Sequence, residues 1–152
     1  MVGAASGLFT VGVFQDVAWA EKGLRALLAQ GLALDSISVL AKDSPAVAAL
    51  IERVFGSEAG TLEIRGLGMI RARGPIVDAL QGPDGELTRH GVAATARRIG
   101  FQAHDGRIFE TLTSRGGVLV SVTSDPRAAD ALAIFHSYGG GNAAIGAWGG
   151  RV

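Results

Sequence analysis

The sequence predicts an α+β fold made of two strand–helix–strand units. Three observations predict it. Residues 8–41 run strand, helix, Gly, strand, as LFTVGVF, DVAWAEKGLRALLAQ, Gly31 and SISVLAK. Residues 117–148 run the same way, as GVLVSVT, DPRAADALAIFHSY, Gly139 and NAAIGAW. The two stripes also align, with Leu24, Leu27, Gly31 and Ile37 opposite Leu132, Phe135, Gly139 and Ile145.

Phe9, Val11 and Val13 alternate with Thr10, Gly12 and Phe14, the period of a strand. Asp16 can cap the helix that follows, its carboxylate accepting from free first-turn N–H groups. Val17, Ala20, Leu24, Leu27 and Leu28 then form one apolar stripe, and Gly31 ends it in the left-handed conformation that glycine takes without strain. Ile37, Val39 and Ala41 supply the core face of a second strand. Ser44-Pro45 is a cap followed by a first-turn proline, and Val47, Leu50, Ile51 and Val54 make a short helix that ends near Gly56. Thr61–Arg65 alternates again, and Leu67–Arg73 extends it as a bulged or hairpin strand around Gly66 and Gly68. Gly74-Pro75 opens a short helix, PIVDAL; residues 82–85 are a turn. Helices are expected at Leu87–Ile99 and Asp105–Ser114. In the second repeat Val118, Val120 and Val122 face one way and Leu119, Ser121 and Thr123 the other. Asp125-Pro126 is a cap, and Ala128, Ala131, Leu132 and Phe135 are expected to face the core.

Two tandem βαβ units most economically form a ferredoxin-like sandwich. The chain is then a single domain over residues 1–152, with repeats at 8–41 and 117–148 and a mainly helical insertion at 42–116. In that arrangement the first strands of the repeats form the central pair, the second strands lie at the edges, and helices cover one face. The other face is expected to carry Thr10, Gly12, Ser121 and Thr123 with Phe14 and Leu119. Its small residues allow close approach, either by the insertion or by a second copy of the chain.

Composition narrows the function. Of 152 residues, 48% are hydrophobic and 18% charged, which argues against disorder. Basic and acidic residues balance at 14 each, so the surplus expected of a nucleic-acid binder is missing. With no Cys, thiolate catalysis and thiolate metal sites are excluded, and the chain fits a reducing, cytoplasmic setting. The apolar start lacks the basic region of a signal peptide and is too short to span a bilayer.

Sites of chemistry are sparse. His90, His104 and His136 fall on three different elements, without the His-x-x-x-His spacing that puts two metal ligands on one helix face. No G-x-S-x-G elbow occurs. Gly139-Gly140-Gly141 follows a helix instead of preceding one, the wrong order for a phosphate loop. No cofactor or metal is expected. The basic residues of the insertion are the most informative group. Arg71 and Arg73 share a strand face, with His90 and Arg97 on the next long helix, so an anion site using guanidinium contacts is one reading. A solvated face balanced by Asp78, Asp84 and Glu86 is the other.

The opening FTVGVFQDVAWAEKGLRALLAQGLALDSISVLAKD resembles the start of the bacterial general stress protein (heat-induced stress protein) domain family. The segment GLGMIRARGPIVDAL resembles that family's G-L-G…G-P-hydrophobic stretch, and SRGGVLVSVTSDPRAADALAIFHSYG resembles its G-G-V-L-V strand and closing helix. The three occur in the same order and cover most of the chain. The resemblance implies a role in bacterial stress responses and supplies no catalytic residues. The chain lacks the long Gly/Ala-rich apolar middle segment of many relatives, and with it any implied membrane role. The helix around His104-Asp105 is also less acidic than the family's usual run.

The expectation is therefore a non-enzymatic, cytoplasmic binding or assembly module that forms a homo-oligomer through its short uncharged final strand. It would bind no nucleic acid and insert in no membrane. The alternative is a sensor of a small anionic ligand, held by Arg71, Arg73, His90 and Arg97.

Overall fold

The computed structural model of the protein describes residues 9–56, 60–123 and 128–140. Its elements are β1 (Thr10–Phe14), α1 (Val17–Ala29), a 3-10 turn (Leu34–Ser36), β2 (Ile37–Lys42), α2 (Pro45–Phe55), β3 (Gly60–Ile64), β4 (Gly68–Arg73), α3 (Pro75–Gln81), α4 (Glu86–Arg98), α5 (Ala103–Ser114), β5 (Val118–Val122) and α6 (Ala128–Ser137). The predicted caps hold. Asp16 Oδ1 accepts from the Trp19 N–H at 2.9 Å, and Ser44 Oγ accepts from the Val47 N–H at 3.1 Å. Gly56 closes α2 at φ 72°. The cap at Asp125 and the final strand NAAIGAW lie outside the described residues.

The strands form one antiparallel sheet in the order β1–β5–β2–β4–β3. The first strands of the two repeats are neighbours, Val11 opposite Ser121 and Phe14 opposite Val118, but they are not the expected central pair, because β1 lies at the end of the described sheet. Because β5 is antiparallel to both β1 and β2, those two run parallel to each other with β5 between them. This is a split βαβ unit with α1 as its crossover.

Three expectations need correction. First, the strand order is not that of a ferredoxin-like sandwich. β2 lies inside the sheet, because the insertion's β3–β4 hairpin adds to its far side through β4, Leu40 opposite Ala72. Second, helices cover both faces. Phe14, Val39, Val118, Val120 and Val122 pack with Leu24, Leu27, Leu50 and Phe135 of α1, α2 and α6. Val11, Val13, Leu40 and Leu119 pack with Ile76, Leu87, Val92 and Leu112 of α3, α4 and α5. A strand whose residues are apolar at both parities is buried on both sides, and every residue of β5 is buried. Third, the faces pair differently. Thr10 and Gly12 lie opposite Val122 and Val120, on the face of Phe14, whereas Ser121 shares the other face with Val11.

That second face is where the insertion approaches. Ser38 and Ser121, opposite each other on β2 and β5, are fully buried there. Ser38 Oγ accepts from the Ile76 N–H at 3.0 Å and so satisfies the first turn of α3. Gly74, at φ 105°, lies so close that a Cβ would stand 2.5 Å from Ser38 Cα. The small residues of this face thus serve a close approach by the insertion.

One further feature shapes α4. Gly91 leaves helical geometry at φ 89° and ψ 176°, which divides the helix in two. The second half is capped from a distance, with Glu110 Oε1 of α5 accepting from the Ala93 N–H at 2.9 Å. A Cβ at Gly91 would fall 3.0 Å from the Arg65 carbonyl oxygen, so the break also lets the β3–β4 turn close against α4. On the opposite side of the sheet, Glu21 joins α1 to α2 by accepting from Arg53 at 2.8 Å and from Arg25 at 2.7 Å. The hydrogen bond from Arg53, and then that from Arg25, hold the Glu21 carboxyl down at about 2.

Candidate functional site

The four basic residues singled out in the sequence lie on opposite sides of the sheet. Arg71 and Arg73 do share a face of β4, the one that carries α2. Arg71 Nε donates to Asp43 Oδ1 at 2.8 Å. Arg73 lies over the Phe55 ring, 4.0 Å from its centroid. Burial pulls its pKa below the ordinary guanidinium value, opposed by the Asp35 charge. His90 and Arg97 sit on α4, whose buried residues pack on the other face, and both are exposed. Arg98, their neighbour, turns inward, its Nη2 donating to the Ala79 and Leu80 carbonyls at 2.6 and 3.0 Å and so capping the end of α3. Among the described residues no group of three His, Cys, Asp or Glu side chains could hold a metal ion.

The recess that gathers side chains from separate parts of the chain lies at the β1 end of the sheet. It is a cleft of about 180 Å³. Phe9 and, from β1, Thr10 and Val11 line it. Phe101, Asp105 and Phe109 form one wall. Asp105 and Phe109, four residues apart on α5, share one side of that helix, and Phe101 precedes the helix across the extended Gln102. Phe101 meets Phe109 edge-on at a centroid separation of 5.5 Å. Leu132 of α6 forms the opposite wall. The cleft therefore wraps around β1 and joins the two helical layers.

Leu132 was expected in the core, as the counterpart of Leu24. It is instead 37% exposed, and Ala131, Ile134 and Phe135 fill the core side of α6. Among the described lining residues Asp105 is the only ionisable group; it is half-buried, and no described cation or hydrogen-bond donor partners its carboxylate. It lies in the first turn of α5, where a negative charge is favoured by the helix dipole. The Asp105–Phe109 spacing is the one local signal of this cleft in the sequence, since both residues lie on one side of α5.

A second, shallower groove of about 250 Å³ runs along the outer side of α5 and is lined by His104, Arg107, Ile108 and Thr111. His90 and His136 line neither recess. No helix among the described residues is long and apolar enough to cross a membrane. Comparison with known protein families, curated proteins and solved structures finds no match.

Proposed function

We propose that this chain is a non-enzymatic, cytoplasmic, stress-associated binding module, and that the cleft between β1, α5 and α6 is where it binds. One observation carries the reading: Phe9, Thr10, Val11, Phe101, Asp105, Phe109 and Leu132, from three separate segments of the chain, line one recess. Val11 and Phe109 are closed into the core, while Phe9, Phe101 and Leu132 keep part of their apolar surface exposed. Concave, mostly apolar recesses with one or two polar groups are the usual form of a small-molecule site. The volume is close to that of a cavity that accepts a single benzene ring, about 150 Å³, so the occupant is small. The stress association rests on the sequence resemblance. The β1–β5–β2 core with α1 is read as the ferredoxin-like part of the fold, with the β3–β4 hairpin added beside it.

The test is an amide-resolved NMR titration of the full chain with a panel of apolar fragments. Shifts concentrated at Phe9–Val11, Phe101–Phe109 and Leu132 support the reading; a panel that leaves those amides unmoved at millimolar concentration overturns it. Assembly into a homo-oligomer is part of the same proposal. The exposed β3 edge, with Met69 of the adjoining β4 52% exposed, offers a surface for it. A monomer by light scattering at high concentration would defeat that part.

A second reading has its own observation. The α5 groove places His104 and Arg107 one turn apart beside Thr111, which suits a small anion. A rise in melting temperature with phosphate compounds, lost in Arg107→Ala, would favour an anion sensor.

A further inference from the structure

We propose that the ligand of the β1 cleft is a small protonated amine with a compact apolar body. The inference rests on the reading of that cleft as the binding site and adds the chemistry of what it takes. The lining combines three phenylalanine rings, a valine, a leucine and one carboxylate. The rings and aliphatic groups fit an apolar body. Aromatic faces also attract cations through their negative quadrupole. Asp105 supplies a carboxylate beside Phe101 and Phe109 in the lining, with no arginine, lysine or histidine among the described lining residues. A ligand anion would meet this carboxylate without compensation. A neutral apolar ligand would leave it half-buried and unpaired, whereas an ammonium group pairs it through a charge-assisted hydrogen bond. A benzene-sized body plus an aminomethyl group matches the about 180 Å³ available.

Asp105 has a competing explanation, as a first-turn acid that stabilises α5 and meets no ligand. Three matched probes separate the two: benzylamine, benzyl alcohol and benzoate, each titrated by NMR against the full wild-type chain, Asp105→Asn and Leu132→Lys. Asp105→Asn keeps size and shape, and its amide spectrum reports whether the fold is intact. Leu132→Lys places a rival ammonium group in the cleft from an exposed position, so it tests the same idea without touching α5. The expected result is benzylamine binding the wild type about tenfold more tightly than benzyl alcohol, the usual scale of a hydrogen bond to a charged group. Benzoate should not bind. The amine preference should fall to about onefold in Asp105→Asn, and benzylamine should lose affinity in Leu132→Lys. Equal binding of amine and alcohol to the wild type, or a preference that survives Asp105→Asn, overturns the amine proposal and leaves the apolar cleft standing. No binding by any probe overturns both.

Discussion

Replacing Gly23 by alanine tests how the core under α1 is packed, because two effects of known size oppose each other there. Gly23 lies in the middle of α1. On helix propensity alone, alanine would stabilise by about 1 kcal/mol. A Cβ at this position, however, would stand 2.8 Å from Phe14 Cε1 and closer still to Cζ, where ordinary contact begins near 3.4 Å. The ring must retreat by well over half an ångström. It has nowhere to go: Phe14 is fully buried, packs edge-on against Phe135 at 5.9 Å, and meets Gly140 where another Cβ would lie 2.9 Å away. Overpacking of a well-filled core costs about 1–3 kcal/mol, and a ring confined on both sides belongs at the upper end. The net effect is a loss of about 2 kcal/mol, a melting temperature lower by about 4–8 °C for a chain of this size. Urea denaturation of Gly23→Ala should show a lower midpoint with an unchanged slope. The decisive comparison uses a Phe14→Leu background, where the smaller side chain frees the space and Gly23→Ala should become stabilising by about 1 kcal/mol. A stabilising Gly23→Ala in the wild type, or the same effect in both backgrounds, would refute the reasoning.

Other predictions follow from the same geometry. Ser38→Ala leaves the buried Ile76 N–H without its acceptor and should cost about 1–3 kcal/mol by chemical denaturation. Ser121→Ala, at the opposing position, removes a buried hydroxyl with no partner among the described residues, so it should be neutral or stabilising in the same assay. Glu110→Ala should free the Ala93 N–H at the break in α4, costing about 1–3 kcal/mol, with hydrogen exchange accelerating first at Val92–Thr95. Lowering the pH should remove the contribution of Glu21. Its carboxyl ionises at about 2 in the folded chain against 4.5 ordinarily, so that stability is present above 4.5 and is lost as the pH falls toward 2. The acid-induced loss between those values should be smaller in Glu21→Gln, and an identical profile would sink the assignment.

The sequence displays its local structure well and its long-range arrangement poorly, and particular residues show why. Asp16, Ser44 and Gly56 act within three or four residues of themselves, so their roles can be read without knowing the fold. The Arg71–Arg73 spacing likewise puts both on one face of β4. What this spacing cannot reveal is that His90 and Arg97 belong to a helix on the opposite side of the sheet. Nor does a strand announce its neighbours. β2 is inside the sheet only because β4 pairs with it, a contact set by register across residues 39–73. The covering of both faces was more accessible. VLVSV is apolar at both parities, and Ser38 interrupts an otherwise apolar ISVL, the pattern of buried strands with a polar group that must find a partner.

The two stretches that read alike in the sequence are buried differently. Leu24 and Leu27 of the first repeat are fully buried, as is Phe135 of the second. Leu132 breaks the correspondence. In α1 the stripe faces β strands on a surface wide enough to cover it; α6 contacts β1 at the end of the described sheet, and one position of its stripe passes beyond. An apolar residue at that position meets what wraps around from the other layer, namely Phe101 and Phe109 of the insertion, with Asp105 between them. The cleft therefore lies where α6, packed at the β1 end of the described sheet, meets an insertion that reaches the same end from the opposite face. Neither repeat nor insertion alone contains it, which is why function in this fold is sought at their junction.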